Sequence, residues 1–283
     1  MFMREHSSQP SVRRLTTSPG RTFNGAVRYT AAPRRREELL RRISDAGYVS
    51  STAAAEDLGV SEMTIRRDLA ALASEGLARR VLGGASAAAL PFDERSSVSE
   101  REKSAIAAAA VPRLAGASIV ALDAGTTVAA LARLLPAGLT VVSHSVPVLT
   151  ACGERDDIEL LGLGGVYHRQ TRSFTGAHTR AQLADLAVDV AVLSATGAGP
   201  DGVYSANPAD AEIKRAMRAA ASAVVLLLDH RKLGVRAPIR FFTLAEAATI
   251  VVDDGVSEQQ LSMLRDRCPD VVVASARPSA AGR

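Results

Sequence analysis

The sequence lacks several features that mark whole classes of protein. It has two cysteines, Cys152 and Cys268, far apart in the chain, which excludes a disulfide-stapled scaffold and a four-cysteine zinc module. Tryptophan is absent, and aromatic residues make up 4% of the chain. No apolar run approaches the roughly 20 residues that a membrane-spanning helix needs, and no signal-like apolar core lies near the N-terminus. We therefore expect a cytoplasmic protein.

The residues that are present suffice for two domains. The chain has 283 residues, of which 47% are apolar, and this exceeds one typical domain. Residues 1–90 carry 14 Lys and Arg against 9 Asp and Glu, whereas residues 91–283 carry 20 against 21. The basic excess therefore lies at the N-terminal end, which favours a region that faces nucleic acid joined to a near-neutral body.

Residues 1–32 mix Ser, Thr, Gly, Pro and Arg without apolar periodicity, and we predict a disordered basic tail there. An organellar transit peptide and a mis-assigned start are the alternatives.

Three helices and a hairpin are predicted after this tail. Residues 34–46 have helical apolar spacing. Ser51 then caps a second helix that Gly59 ends, and Ser61 caps a third. Residues 77–84 predict a small β-wing.

A short helix, a glycine turn and a second helix are the geometry of a helix-turn-helix, whose second helix enters the major groove of DNA. An ordinary helical hairpin with solvated arginines is the alternative interpretation. The run from Val60 to Leu69, VSEMTIRRDL, and the later Gly83-Gly84-Ala85 resemble the winged helix-turn-helix of the DeoR family of bacterial repressors. Leu82 departs from the histidine that the family usually carries before the two glycines.

The resemblance implies which side chains contact DNA. They come from the third helix and the wing: Ser61, Glu62, Thr64, Arg66, Arg67, Arg79 and Arg80. Arginine can fork to guanine or pair with phosphate, whereas Ser and Thr suit phosphate or thymine-methyl contacts. Because phosphates repel a carboxylate, we expect Asp68 to pair with a neighbouring arginine or the wing.

The rest of the chain alternates β-like and helical runs, which predicts an α/β fold with a mostly parallel sheet. The predicted strands are 118–122, 139–142, 158–161, 188–193, 223–228, 249–252 and 270–273. The predicted helices are 105–114, 128–135, 210–221 and 257–267. Polar or glycine-rich loops follow the first five strands. Because the carboxyl ends of parallel strands share one edge, these loops predict a single ligand crevice.

One of these loops, Gly125-Thr126-Thr127, leads into a helix, where free backbone N–H groups and two hydroxyls suit a phosphate; tight-turn structure is the alternative. We assign Asp123 to sugar hydroxyls or to bracing the loop, because an ionised carboxylate cannot approach a phosphate. Lys214 and Lys232 are candidate partners for an anionic ligand, or else surface charges.

Residues 90–274 resemble the C-terminal sensor domain of the same family, itself similar to ribose-5-phosphate isomerase folds. The supporting stretches include Asp123 to Thr127, Leu163 to Tyr167, and Glu212 to Met217. The resemblance implies a phosphorylated sugar as effector. The complete set of candidate effector-binding residues is Asp123, Gly125, Thr126, Thr127, Ser143, His144, Gly164, Gly165, Lys214, Asp229 and Lys232. His144 stands where the family commonly has asparagine, so the ligand can differ from the best-known ones.

We predict no metal, no cofactor and no catalytic residue, because the histidines lack ligand spacing and no nucleophile elbow or P-loop is present.

The leading hypothesis is a DNA-binding regulator, a repressor of carbohydrate metabolism genes, with a phosphorylated sugar as effector. A sugar-phosphate isomerase-like enzyme that uses Lys214 or Asp123 is one alternative, and a winged helix for protein contacts is another.

The predicted boundaries follow from these assignments. We expect a disordered tail at 1–32, a winged helix-turn-helix domain at 33–88, a linker at 89–104, an effector-sensing α/β domain at 105–275 and a disordered tail at 276–283. The partners we expect are a double-stranded DNA operator and a second copy of the chain. A homodimer or homotetramer would present paired recognition helices to two half-sites.

Overall fold

The computed structural model describes residues 25–275, except residues 47, 76, 82 and 88–90. The N-terminal region consists of helices α1 (Gly25–Ala46), α2 (Ser51–Asp57) and α3 (Glu62–Ser74), and of strands β1 (Tyr48–Ser50), β2 (Ala78–Val81) and β3 (Gly84–Ala87). β3 lies between β1 and β2 and pairs antiparallel with both. β2 and β3 are the two strands of the predicted wing.

Serine caps and one glycine define the α2–α3 turn. The hydroxyl of Ser61 accepts from the backbone N–H of Thr64 at 3.2 Å, which satisfies one free donor at the start of α3. Gly59 has φ +62°, a left-handed conformation that favours glycine. The inner faces of α1 and α3 bury a small apolar core that includes Leu39, Ile43, Ile65, Leu69 and Leu72.

Two N-terminal boundaries differ from the sequence prediction. α1 begins at Gly25, within the stretch predicted to be disordered, and Pro33 lies inside it. The residues before position 34 have no apolar periodicity, so the sequence carried no signal for this extension. Ser50, not Ser51, caps α2, because Ser51 is already helical and buried. The remainder of the predicted N-terminal tail, residues 1–24, and the tail at 276–283 lie outside the described residues.

The body begins with α4 (Phe92–Ser97) and α5 (Glu100–Ala110) and then alternates strands and helices. Its helices are α6 (Thr126–Ala132), α7 (Val146–Gly153), α8 (Ala177–Ala184), α9 (Pro208–Ala220) and α10 (Glu258–Arg265). Its strands are β4 (Ile119–Leu122), β5 (Thr140–Ser143), β6 (Glu159–Gly162), β7 (Val166–His168), β8 (Ser173–Thr175), β9 (Val188–Ser194), β10 (Gly197–Gly199), β11 (Gly202–Ser205), β12 (Ala221–Leu228), β13 (Ile239–Phe242), β14 (Thr249–Asp253) and β15 (Asp270–Ala274). Short 3₁₀ helices cover Val111–Leu114, His230–Lys232 and Leu244–Glu246.

One seven-stranded sheet organises the body, in the order β15-β14-β12-β9-β4-β5-β6. Every neighbouring pair is parallel, and its strands are the seven that the sequence predicted. Along β12, Leu226 and Leu228 pack on one buried cluster with α9, while Val225 and Leu227 pack on the other with α5. Helices therefore cover both faces, and the predicted α/β fold class is confirmed.

The strand order reverses at the β4–β9 pair. Chain order runs from β4 through β5 to β6 on one side and from β9 to β12, β14 and β15 on the other. Loops on the two sides of such a reversal diverge at the carboxyl ends of the strands, which leaves a crevice where ligands bind in open α/β sheets. The topology therefore places the expected crevice beyond Leu122 and Ser194.

Several elements were absent from the sequence prediction. The segment expected to be a linker, 89–104, contains α4 and the start of α5, and Phe92 is buried against the body. β10, β11 and β13 form a small antiparallel sheet, and β7 and β8 a hairpin. These strands have three or four residues each and several glycines, too few positions to establish a period of two.

Candidate functional site

The outer face of α3 is the first candidate site. Arg66 and Arg67 are exposed, and 65% of the Met63 surface is exposed beside them. Arg66 forms an i,i+4 ion pair with Glu62 at 2.6 Å, and the Ser61 hydroxyl lies 2.9 Å from that of Thr64. This face thus presents two guanidinium groups and two hydroxyls around an apolar side chain. Sequence reasoning missed Met63, because an apolar residue on a helix is first assigned to the core.

Asp68 lies on the opposite side of α3. It is buried and accepts from the Nε atoms of Arg35, at 2.5 Å, and Arg36, at 3.2 Å. The predicted pairing with a neighbouring arginine is therefore present. It fixes α1 against α3 and keeps the carboxylate away from the exposed arginines.

The two wing arginines take different directions. Arg80 is exposed, whereas Arg79 is half-buried and its guanidinium donates to the backbone carbonyl of Ala206 in the body. Burial lowers the pKa of Arg79 from its ordinary value. Both were predicted as DNA contacts, but only Arg80 projects from the protein.

A cavity of about 690 Å³ lies at the carboxyl ends of β4 and β9, where the strand order reverses. Five regions supply most of its walls: the loops after β4 and β9, the turn between β7 and β8, the start of α9, the 3₁₀ helix after β12, and the α4–α5 segment together with the wing. At its base, a Cβ atom on Gly125 would lie 2.1 Å from the Ser194 hydroxyl, so only glycine allows the two loops to approach this closely.

Cationic side chains dominate the cavity lining. They are Arg79, Arg95, Lys103, Lys214, Arg231 and Lys232, against the lining carboxylates Asp210 and Asp229. All three lysines of the chain are in this set. The lining side chains therefore carry more positive than negative charge, which favours an anionic ligand over a cationic one.

Burial lowers the pKa values of several lining cations. Burial, reinforced by the nearby Lys232 ammonium, lowers the pKa of Lys103 to about 8. Burial likewise lowers the pKa values of Arg95 and Lys232. Arg95 also lies over the Phe92 ring at 5.7 Å, and Lys103 donates to the carbonyls of Arg95 and Val98. An anionic ligand would relieve this mutual repulsion.

Beneath the cavity lies a buried ion pair. Asp123 accepts from Lys214 Nζ and from the Ser194 backbone N–H and hydroxyl, the last two at 3.0 and 2.7 Å. Burial alone would raise the pKa of Asp123, but the Lys214 ammonium and His144 hold it well below its usual range. Burial opposes the charge of Lys214 too, yet Asp123 and Asp210 raise its pKa. Asp123 therefore braces the floor of the cavity, one of the two roles predicted for it.

The other predicted effector residues divide between the lining and the interior. Gly125, Thr126, Lys214, Asp229 and Lys232 line the cavity. Asp123 does not line it, and neither do five further residues: Thr127, Ser143, His144, Gly164 and Gly165.

Hydrogen bonds to the protein's own backbone and side chains hold Ser143, His144 and the Gly164-Gly165 turn in place. The Ser143 hydroxyl donates to the Leu122 carbonyl at 2.7 Å, and His144 Nδ1 lies 2.7 Å from the Phe174 carbonyl. The Gly164-Gly165 turn is held at the Gly164 carbonyl, which accepts from Thr179 at 2.8 Å. These residues support the loops from behind, whereas the Thr127 hydroxyl is buried without a partner in the described part of the chain.

Four lining cations were not predicted as effector residues: Arg79, Arg95, Lys103 and Arg231. Arg95 and Lys103 come from the segment expected to be a linker, and their charges resembled those of an ordinary solvated helix. One signal could have identified Lys103. Lysine occurs three times in the chain, and the other two lysines were already candidates.

Within the described ranges, no three His, Cys, Asp or Glu side chains cluster as a metal site would require. Cys152 and Cys268 are buried free thiols. No helix of the described chain is long and apolar enough to cross a bilayer.

Comparison with known families gives two matches. Residues 35–89 match the DeoR-like helix-turn-helix domain, and residues 98–254 match the DeoR C-terminal sensor domain. The first range contains α3 and the wing, and the second contains most of the body and most of the residues that line the cavity.

Similar proteins are regulators. The HTH-type transcriptional regulator IolR of Bacillus subtilis is 32% identical over 70% of this chain and 82% of its own. The L-fucose operon activator of Haemophilus influenzae is 30% identical over 77% of this chain and 91% of its own. The glycerol-3-phosphate regulon repressor of Escherichia coli is 26% identical over 82% of this chain and 95% of its own.

Among solved structures, D-ribose-5-phosphate isomerase in complex with phospho-erythronic acid matches with 22% sequence identity and a TM-score of 0.36. The match covers 47% of this chain and 54% of the isomerase, so the chain spans about half the length of that protein.

Proposed function

Because the chain belongs to the DeoR family of transcriptional regulators, we propose that it represses genes of carbohydrate metabolism and that a phosphorylated sugar in the cavity changes its operator affinity. The observation that carries the proposal is the cavity at the strand-order reversal, lined by every lysine in the chain. A DNA-binding regulator acts in the cytoplasm, and we place it there. Relatives named for the L-fucose operon and the glycerol-3-phosphate regulon support the carbohydrate assignment.

A phosphate ester suits the cavity better than a neutral sugar does. Phosphate carries close to two negative charges near neutral pH and offers three acceptor oxygens, which match clustered Lys and Arg side chains. Lys232, Arg231 and Arg95 are proposed to hold the phosphate. Asp210, Asn207 and Thr126 also line the cavity and are proposed to bind the sugar hydroxyls.

For DNA, we propose that α3 enters the major groove with Ser61, Thr64, Arg66 and Arg67, and that Met63 packs on a thymine methyl. Arg80 would contact the backbone beside it. Two copies of the chain, related by a two-fold axis, would bind paired half-sites. Effector occupancy need supply only a coupling of about 1–3 kcal/mol to change operator affinity 5- to 150-fold.

The enzyme alternative fits the geometry poorly. Asp123 and Lys214, the residues named for acid–base chemistry, are bonded to each other, and Asp123 is fully buried and does not line the cavity. The named relatives are regulators, not enzymes.

The proposal is tested by anisotropy with labelled DNA from upstream of the protein's own gene. Ribose 5-phosphate, glucose 6-phosphate, glycerol 3-phosphate, their unphosphorylated parents and inorganic phosphate are added in turn, at several salt concentrations. We expect affinity to fall steeply with salt and to change with a phosphorylated sugar but not with its parent. Salt-insensitive binding, or turnover of a sugar phosphate by the purified protein, would contradict the proposal.

A further inference from the structure

The wing forms part of the cavity wall. Arg79 on β2 and Ser86 on β3 are paired across the hairpin, and both line the cavity. Arg80, the next residue along β2, is exposed, as the period of two along a strand requires. The wing therefore has one side toward the solvent and one side toward the cavity.

Both cavity-facing wing residues carry polar atoms that lack partners. Ser86 is 2% exposed, and its hydroxyl has no hydrogen-bond partner in the described chain. Arg79 Nε is likewise buried and unpaired there, while another guanidinium nitrogen donates to Ala206. A buried polar atom without a partner is costly, and such atoms at a cavity mark where a ligand would supply the missing partner.

The Arg79–Ala206 bond also connects the wing to the rest of the site. Ala206 precedes Asn207, the N-cap of α9, and α9 carries Asp210 and Lys214 into the cavity. A ligand that contacts Arg79 would therefore act on the wing and on α9 at the same place.

We infer that Arg79 and Ser86 are effector-contact residues, so that the effector is bound by the wing and the body together. This inference rests on the proposed function. Arg79 offers a charged donor to the anionic part of the ligand, and Ser86 offers a hydroxyl. Because the same hairpin carries Arg80 toward DNA, effector occupancy and wing position are linked, and each ligand changes the affinity of the other by the same factor.

The test is calorimetric titration of the full chain with the phosphorylated sugar that most raises its melting temperature, and with inorganic phosphate. The variants are Arg79→Met, Ser86→Ala and Lys232→Met, with exposed Arg133→Met as the matched control. We expect Arg79→Met to weaken sugar-phosphate binding by about tenfold or more, and Ser86→Ala by about fivefold. Arg133→Met should bind as the original chain does. The melting temperature of each variant shows whether it is folded. If Arg79→Met is unstable, the effector affinity of Ser86→Ala tests the inference.

The outcomes separate the inference from the proposed function. If the original chain binds none of the sugar phosphates, the proposed function fails. If Lys232→Met loses binding while Arg79→Met and Ser86→Ala retain it, the effector site stands but excludes the wing, and the inference is overturned. The inference is also overturned if Arg79→Met binds the effector as the original chain does but, without effector, binds the operator more weakly. That result would assign Arg79 to the DNA contacts.

Discussion

The outer face of α3 and the cavity are both cationic, but they hold their charges in opposite ways. Arg66 and Arg67 lie on an exposed helix face, where water and salt screen them. Lys103 and Lys214 are buried. An exposed cationic face is stable without a partner and acts through attraction of DNA. An enclosed one needs a counter-ion, which Asp123 supplies for Lys214, and we propose that an anionic effector supplies it for the other lining cations.

The largest expected effect is on stability, from breaking the buried ion pair between Asp123 and Lys214. Asp123→Asn leaves Lys214 buried with only Asp210, 3.7 Å away, so we expect the free energy of unfolding to fall by about 3–5 kcal/mol in chemical denaturation. The matched control is Asp157→Asn, which breaks an exposed ion pair with Arg155 and should leave the free energy of unfolding nearly unchanged. If the two variants lost equal free energy of unfolding, the buried charges of the cavity would be no more important for stability than exposed ones.

The next effect concerns DNA. Arg67→Ala should weaken operator binding by about 1–3 kcal/mol and leave the unfolding free energy unchanged, because Arg67 is exposed and makes no ion pair in the described chain. Anisotropy across salt concentrations distinguishes its role. A phosphate contact weakens all sequences alike and lowers the salt slope by about 1, whereas a base contact relaxes specificity at one position. Unchanged operator affinity would favour a winged helix used for protein contacts.

A smaller effect follows from the pKa of Lys103. Below about pH 8 Lys103 is protonated and attracts an anion, and above it the charge is lost. Effector affinity should therefore fall as the pH rises from 7.5 to 9.5, by at most about tenfold per unit for one proton. A phosphate monoester is already fully ionised over this range, since its second pKa is about 6.

Burial also lowers the pKa of Lys232, so loss of its proton would act in the same direction. The control is Lys103→Met titrated over the same range, which should show a shallower dependence. A rise in affinity with pH would show that the cavity does not take an anion.

The smallest effect is at the start of α3. Ser61→Ala removes a helix cap, and we expect a loss of about 1 kcal/mol in the free energy of unfolding. Ser50→Ala, the equivalent change at α2, removes a longer bond of 3.4 Å and should cost less. Calorimetric melting of the two variants would check this order.

The sequence predicted the elements whose signal is local. Each sheet strand is a short run of β-branched or aliphatic residues, and Ser61 caps α3 as its position before the helix indicates. The loop around Gly125 was predicted from its place after a strand, and it does line the cavity.

The features that depend on tertiary packing were not predictable in this way. Nothing local distinguishes Arg79 from Arg80, because only the docking of the hairpin decides which one faces inward. Arg95 joins the cavity only because Phe92 is buried against the body and fixes α4 there. His144 was expected in the crevice because it follows a strand, yet its ring hydrogen-bonds to the β8 backbone at Phe174 behind it.

The gathering of every lysine in one cavity has a practical consequence for chemical probing. Apart from the chain's own α-amine, every primary amine of this protein belongs to the cavity. Burial lowers the pKa of Lys103 to about 8 and also lowers the pKa of Lys232, so near neutral pH both lysines have a larger fraction of reactive neutral amine than an ordinary lysine has. Amine-directed labelling followed by mass spectrometry would thus report on cavity occupancy without any engineered tag, and a bound anion would register as protection at these lysines.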